Sequence, residues 1–432
     1  METKILFVSF TKNSPFYPKS SQKNKKIVAK TGISLENIHK CIDANFYTCV
    51  HYMCFCSIIL YLPELSLKMK NYFDVLFAFS FCISFGQNGN FVDKIEVSYL
   101  KGNALPHTED MYHLINGHPN GLMINFLKKT DGSKEWHKAY NYPDFGGYFL
   151  YQNFRSSSLG ENYSVGALYN FYFLNRNLQF KLGQGIALST NPYDKVENSK
   201  NKAFGSRIIA NTNVDLSFDS QNLFKNIGFH AGILFTHYSN GRVKSPNSGI
   251  NTYLLNIGLN YNLDENFVRK VDTTFEKKNY KSPIRYNFVL RTGINENPIV
   301  GSGQFPFYHI GFYADKRINR KSSLQLGTEL FLTKSIEEYI TYYSVAYPEE
   351  GISRNTDYKR VGVFVGHELI INRISLEAQI GYYVYQPFKK DIPIYDRVGM
   401  KYYFSDNFFG GFTIKTHLFL AEALEFGIGY RI

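Results

Sequence analysis

Apolar and polar residues alternate with a period of two along most of the chain from about residue 144 onward. The alternating segments match the roughly 9 to 11 residues that a tilted strand needs to cross a bilayer. Turns rich in Asn, Asp, Gly, Ser and Lys separate them. The clearest segments are 144–154, 162–175, 176–188, 207–218, 286–296, 307–318, 322–333, 360–371, 374–385, 396–404, 408–420 and 422–432. This pattern is typical of strands that face lipid on one side and a lumen on the other.

Two more strands flank the turn within 235–263, and weaker candidates lie near 94–100 and 120–128. We therefore predict an all-β fold, a transmembrane antiparallel β-barrel of about 14 strands within a range of roughly 12 to 16. The last segment carries an apolar face, as a closing barrel strand requires, whereas a soluble edge strand with that face would aggregate. Longer polar loops are expected at 189–206, 264–283 and 335–359.

Composition supports strands and argues against helical membrane spans. The chain has 432 residues, with 38 phenylalanines, 34 tyrosines and 33 glycines, and aromatic residues favour strands. An uninterrupted apolar run of the length that a membrane-spanning helix needs does not occur in the sequence. The net charge of +12 is scattered. A nucleic-acid partner is therefore not expected, whereas dispersed Lys and Arg suit a surface rich in lipid phosphates.

The segment that starts at Met69 has the features of a secretory leader. Lys70 precedes an apolar run over 75–85, and small residues come before Gln87. Asp74 weakens the pattern, and a hydrophobic strand is the alternative. We expect residues 1–68 to be an over-called N-terminal extension, 69–86 a signal peptide and 87–432 the barrel, with 87–143 a less regular part.

All five cysteines lie in the first 82 residues: Cys41, Cys49, Cys54, Cys56 and Cys82. Their spacing matches no metal-site pattern. We therefore expect no metal site from them.

The stretch HYSNGRVKSPNSGIN places His237 and Ser239 two residues apart at the end of a strand. Residues two apart in a strand share a face, so both continue an apolar face that includes Ile233 and Phe235. The returning strand places Asn251 on its own apolar face. In a membrane barrel this face meets lipid. Three polar side chains there need mutual hydrogen bonds or a function.

A serine hydroxyl, an imidazole that takes its proton and an amide oxygen that orients the imidazole are the parts of a nucleophilic triad. Ser239, His237 and Asn251 supply these parts, and the target would be an ester in the membrane. Two alternatives remain open. In the first, the motifs SNG and PNSG are ordinary turn sequences without a catalytic role. In the second, an acid on a neighbouring strand takes the place of Asn251; the hairpin itself offers none, since no acid lies between His237 and Asp264.

The stretch 229–263 resembles the active-site hairpin of the outer-membrane lipid A deacylases, of the 3-O-deacylase or acyloxyacyl hydrolase type. These β-barrels hydrolyse a fatty-acyl ester of lipopolysaccharide with a Ser-His-acid triad. The resemblance implies Ser239 as nucleophile, His237 as general base and Asn247 in the oxyanion hole. Asn251 stands where the family has its acid. The rest of the mature chain is larger than the eight-stranded members of the family, so their strand number is not carried over.

The same resemblance implies lipid A or lipopolysaccharide as partner, the bacterial outer membrane as location and no cofactor or metal. Arg242 and Lys244 in the turn would bind the lipid's phosphates, or are solvated turn charges. A non-catalytic channel or transporter barrel, with Asn256, Asn260 and Asn262 facing the lumen, is the alternative function. An acyltransferase that uses the same serine is a third hypothesis.

Overall fold

The computed structural model describes residues 92–106, 109–264, 267–270 and 282–432. The expected extension 1–68, the leader 69–86 and the five cysteines lie outside these residues. The described strands are β1 Lys94–Leu105, β2 Asn120–Lys129, β3 Asp144–Asn153, β4 Glu161–Phe173, β5 Leu178–Ser189, β6 Ile208–Phe224, β7 Ile227–Ser239, β8 Ile250–Asn262, β9 Ile284–Asn295, β10 Phe305–Arg317, β11 Ser322–Thr333, β12 Arg360–Ile370, β13 Ile374–Tyr385, β14 Ile394–Tyr403, β15 Phe408–His417 and β16 Leu420–Arg431.

The strands close into two antiparallel barrels of eight, β1–β8 and β9–β16. In the first barrel β1 pairs with β8 along its whole length, from Lys94 opposite Asn262 to Leu105 opposite Asn251. In the second, β16 closes on β9. We call the end of the first barrel where β7 passes into β8 its upper end, and likewise the end of the second where β9 passes into β10.

The predicted all-β barrel architecture is confirmed, and the described strands reach the upper limit of the predicted range. The sequence analysis expected a single barrel over 87–432, whereas the described strands close into two barrels of eight strands each. Once β1 has paired with β8, neither strand offers an edge to β9, so the chain must begin a second closure. Alternation along a strand carries no information about which strands pair, so the sequence pattern did not reveal this division.

The weak strand candidates near 94–100 and 120–128 are confirmed as β1 and β2, so the part expected to be less regular, 87–143, contains two regular strands. One loop also differs from the sequence-based expectation. The expected loop 335–359 contains helix α2, Lys334–Ala346, whose Ile336 and Ile340 pack against Phe388. The spacing of four residues between the two isoleucines is a helical signal. A shorter helix, α1, spans Glu135–Ala139, and 3-10 turns occupy Glu109–Leu114, Leu174–Arg176 and Pro348–Glu350.

Burial alternates along the strands as the two-residue period predicts. On β7 the side chain of Ile233 is 59% exposed, whereas Leu234 is fully buried. On β8 Leu255 and Ile257 are exposed and Asn256 is buried. The predicted outward face of the hairpin is therefore confirmed. Among the described helices, none is long and apolar enough to cross a membrane.

Side chains fill the interior of both barrels. In the first, Glu96 forms ion pairs with Lys94 and Lys181. In the second, Arg397 binds Glu329 and Glu425. Eight strands enclose a space just wide enough for side chains, and buried charges need partners. Several apolar side chains also pack together within the first barrel toward its upper end: Ala104, Met111, Leu114, Phe154, Leu159, Ala187, Ala203, Phe204, Ile209, Tyr238 and Ile250.

The two barrels contact each other at both ends. At the lower end, opposite the β7–β8 turn, the Tyr140 hydroxyl donates to the carbonyl of Ile370 at 2.7 Å. The ammonium of Lys321 lies 4.7 Å from the Tyr140 ring centroid, and Arg320 pairs with Glu135. Burial raises the pKa of Tyr140 to about 12, so its hydroxyl is a donor at neutral pH.

Candidate active site

The β7–β8 hairpin brings His237 and Asn251 directly opposite each other. Ser239 is the last residue of β7 and lies two residues beyond His237 on the same side of the strand. Asn251 is the second residue of β8. The three residues predicted from the sequence therefore gather at the upper end of the first barrel.

A hydrogen bond joins His237 to Asn251, with 2.6 Å between Nδ1 and Oδ1. An amide oxygen only accepts hydrogen bonds, so this contact places the imidazole proton on Nδ1. In the neutral imidazole, Nε2 is then the unprotonated ring nitrogen, the form that a general base requires. Asn251 thus contacts Nδ1 of His237 through a neutral amide, without the negative charge that an acid would bring.

The register of β6 disfavours an acid from a neighbouring strand as the third member. Thr212 lies opposite His237 on β6. The acids of β6, Asp215 and Asp219, are at most 2% exposed and belong to the buried face of the strand. Within the two described strands that flank His237, Asn251 is the residue that contacts its Nδ1.

Ser239 is 5% exposed, and among the described residues no hydrogen bond involves its hydroxyl. The structure does not join Ser239 to His237 by a direct hydrogen bond. Catalytic hydrogen bonds are often long or poorly aligned before substrate binds. Gly249 lies beside both residues with a φ of +65°. A Cβ built on Gly249 would lie 3.2 Å from His237 Cε1 and 3.2 Å from Ser239 Cβ. A side chain there would press on both residues.

Asn247 lies in the same loop and is held against the residue that follows the serine. Its Oδ1 accepts a hydrogen bond from the backbone N–H of Asn240 at 2.7 Å. That bond fixes the orientation of the Asn247 amide and leaves its Nδ2 as the donor side of the group. The backbone N–H of Asn240, the residue after Ser239, is engaged in this bond.

The loop over 240–249, which we call the site loop, rests on the β5–β6 connection of the same barrel. The N–H of Ser248 donates to the carbonyl of Lys202 at 3.0 Å, and that of Gly249 donates to the carbonyl of Ala203 at 3.2 Å. Asn240 Nδ2 also donates to the carbonyl of Lys244 at 2.8 Å. These hydrogen bonds hold the site loop against the β5–β6 connection and brace it internally.

Arg242 and Lys244 project from this loop. Lys244 is exposed and Arg242 is half-buried with a φ of +61°. Burial raises the pKa of Tyr339 on α2 of the second barrel, and the positive charge of Arg242 partly opposes that shift. Arg242 therefore lies within electrostatic range of the second barrel.

A second polar cluster, Asp391, His417 and Glu422, lies in the second barrel. Their potential ligand atoms are within 4.8 Å of one another, but Glu422 already pairs with Arg360 and Lys415. The positive charges of Arg360 and Lys415 would repel a metal ion, so we assign no metal site to this cluster. The β15–β16 hairpin of this barrel, where His417 lies, contains no serine, unlike β7–β8.

The fold and the outward-facing site define a β-barrel membrane protein with a Ser-His pair at one rim. Two family models match the chain, one for each barrel: lipid A 3-O-deacylase (PagL) over residues 120–260, and the C-terminal domain of acyloxyacyl hydrolase (PagL_C) over 284–432. The chain belongs to the outer-membrane lipid A deacylase family of the lipid A 3-O-deacylase and acyloxyacyl hydrolase type. The recognition made from the sequence is confirmed, and the protein is located in the bacterial outer membrane.

Solved structures give only weak similarity. Neisserial surface protein A (NspA) is 12% identical with a TM-score of 0.23, covering 39% of this chain and 96% of that chain. A mutant of the Rh. blastica porin is 9% identical with a TM-score of 0.18, covering 78% of this chain and 99% of that chain. These values are too low to carry an argument. No curated protein matches the chain.

Two site features escaped the sequence analysis. The first is Gly249, whose positive φ and contact with His237 and Ser239 were hidden in an ordinary PNSG turn. The second is Glu296, which follows β9 and accepts a hydrogen bond from the site loop. For Gly249, the glycine of the turn was a usable signal in the sequence. No local signal pointed to Glu296, because its partner Ser245 lies far away in the sequence.

Proposed function

We propose that this protein is an ester hydrolase that removes a fatty-acyl chain from lipid A in the outer membrane. Ser239 acts as nucleophile, His237 as general base and Asn251 as the residue that orients the imidazole. The observation that supports this most is the 2.6 Å hydrogen bond between His237 Nδ1 and Asn251 Oδ1 on the outward face. Membership of the lipid A deacylase family supports lipid A as the substrate.

In the proposed reaction, His237 Nε2 takes the proton of the Ser239 hydroxyl while the Ser239 oxygen attacks the ester carbonyl carbon. The Asn247 amide donates a hydrogen bond to the oxygen that becomes negative. The tetrahedral intermediate collapses with cleavage of the C–O bond of the ester, and the imidazolium gives its proton to the departing alcohol oxygen. Water, deprotonated by His237, then hydrolyses the acyl-serine and releases the fatty acid.

The position of the site fits a lipid ester as substrate. The outward faces of β7 and β8 below the site are apolar, with Ile233, Leu255 and Ile257 more than 40% exposed. An acyl chain in the membrane would lie along this surface while its ester reaches the rim. Arg242 and Lys244 in the site loop would bind the phosphates of the lipid by charge-assisted hydrogen bonds.

The alternative of a channel receives no support from the interior of the first barrel. Asn256 and Asn260, which would line a lumen, are each 1% exposed. Their amides bind Asp215 and Asp219, and the apolar cluster lies toward the upper end. An acyltransferase would use the same serine and differs only in the acceptor of the acyl group.

The experiment compares purified wild type, Ser239→Ala and His237→Ala on lipid A dispersed in detergent, with free fatty acid and lipid A mass as readouts. We expect fatty-acid release by wild type and none by the two variants, because each variant lacks a group that takes part in the attack on the ester. A gain in lipid mass would instead indicate acyl transfer. Full activity of Ser239→Ala would contradict the proposed mechanism.

A further inference from the structure

Glu296, the residue that follows β9 in the second barrel, is bonded to the site loop of the first barrel. Its Oε2 accepts a hydrogen bond from the backbone N–H of Ser245 at 2.7 Å. Its Oε1 accepts a hydrogen bond from the N–H of Gly301 at 2.8 Å in its own loop. The Glu296 side chain is 3% exposed and Ser245 is 4% exposed. One buried carboxylate thus joins the two loops.

Further hydrogen bonds link the same loops. The N–H of Glu296 donates to the carbonyl of Arg242 at 3.0 Å, and the Ser245 hydroxyl donates to the carbonyl of Asn297 at 2.8 Å. Gln304 Nε2 donates to the carbonyl of Val243 at 2.8 Å. The site loop is therefore bonded to the second barrel through three of its residues, 242, 243 and 245.

The site loop also packs closely against the second barrel at Gly241. Gly241 has a φ of +64°, and a Cβ added there would lie 2.9 Å from Leu424 Cβ on β16. A side chain at residue 241 would push the site loop away from the second barrel. The loop therefore fits the upper end of the second barrel at Gly241 as well as at Ser245.

We propose that Glu296 is a positioning residue for catalysis and that the second barrel holds the site loop in its active conformation. This inference rests on the proposed function of Ser239. Asn247 is two residues beyond Ser245 and Gly249 is four, so movement of Ser245 carries the oxyanion donor and the contact with His237 along with it. A displacement of about 1 Å in a catalytic group costs roughly 100-fold in rate.

Closure of the first barrel does not need this contact. Strands β7 and β8 pair with each other over the whole hairpin, and β8 pairs with β1. The contacts of Glu296 are with the loop beyond the last strand pair. The second barrel has no serine in its own β15–β16 hairpin. Through Glu296 and Gln304, the second barrel contributes to the reaction by holding the site loop.

The test uses the full chain with Glu296→Ala, Glu296→Gln and the control Glu349→Ala. Glu349 is an exposed acid at the upper end of the second barrel. The measurements are kcat and KM for lipid A, and amide hydrogen exchange of residues 240–249. We expect Glu296→Ala to lower kcat by about 10- to 100-fold with little change in KM, because the loop and not the lipid-facing surface is disturbed.

Glu296→Gln should lie between wild type and Glu296→Ala, because its one acceptor oxygen can still bind the N–H of Ser245. Hydrogen exchange of the site loop should increase from wild type through Glu296→Gln to Glu296→Ala. Glu349→Ala should match wild type in both kcat and hydrogen exchange. Unchanged kcat and unchanged exchange in Glu296→Ala, with an active and Ser239-dependent wild type, would overturn the positioning role. An inactive wild type would overturn the proposed function itself, while the exchange data would still report whether Glu296 holds the loop.

Discussion

The hydrogen bond between His237 and Asn251 allows the role of the third residue to be measured. Asn251→Asp keeps the shape of the side chain and places a negative charge at the oxygen that lies 2.6 Å from Nδ1. Asn251→Ala removes the oxygen altogether. The two variants therefore separate orientation of the imidazole from stabilisation of its positive charge in the transition state.

A neutral hydrogen bond contributes about 0.5–1.5 kcal/mol, so we expect Asn251→Ala to slow the reaction by about 2- to 13-fold. A charge pair at about 4 Å gains at most about 4 kcal/mol at an effective dielectric constant near 20. Desolvation and the partial exposure of the site offset much of this gain. We therefore expect Asn251→Asp to be at least as active as wild type, with an increase of about 10-fold at most.

The assay is the initial rate of fatty-acid release from lipid A by purified protein, with Asn103→Asp as the control for charge. Asn103 lies on the outward face of β1 near the same rim, where its amide donates to the hydroxyl of Tyr253. The control should leave the rate close to wild type. If Asn251→Ala retained the full rate while Ser239→Ala lost it, Asn251 would not be the third member. A large loss in Asn251→Asp would refute the argument from charge.

Three other predictions concern the site loop, the membrane face and the barrel interior. Gly249→Ala should lose most activity while the barrel stays folded in heat-modifiability gels, whereas Gly351→Ala, at a similar φ of +66° with open space around it, should remain active. Spin labels at Ile233 should be accessible to lipid-phase quenchers and labels at Leu234 should not, with equal access contradicting the register. Arg397→Met should lower the free energy of unfolding by about 3–5 kcal/mol, since it leaves two buried glutamates without this partner, and an unchanged denaturant midpoint would disprove it.

The sequence was sufficient for what depends on local periodicity. The alternation along β7 and β8 predicted which side chains face outward, and with it the shared face of His237, Ser239 and Asn251. The hairpin motif was also enough to identify the family. Each of these features is contained in a short stretch of chain, where a two-residue period and a turn determine the geometry.

Features that depend on distant pairing were not accessible in this way. The division into two barrels is decided by the pairing of β1 with β8, which lie more than 140 residues apart. The link from Glu296 to Ser245 spans 51 residues and joins loops of different barrels. Neither contact leaves a periodic trace in the sequence, because each depends on how complete barrels close and meet.

We propose that Ser239 of the first barrel cleaves a fatty-acyl ester of lipid A in the outer membrane. Mass spectrometry of lipid A from cells that express wild type or Ser239→Ala at equal outer-membrane levels tests it most directly. We expect wild type to convert lipid A to a species lighter by one acyl chain, and Ser239→Ala to leave it at the mass found in cells without the protein. The same loss of mass in both strains, or in neither, would contradict the claim.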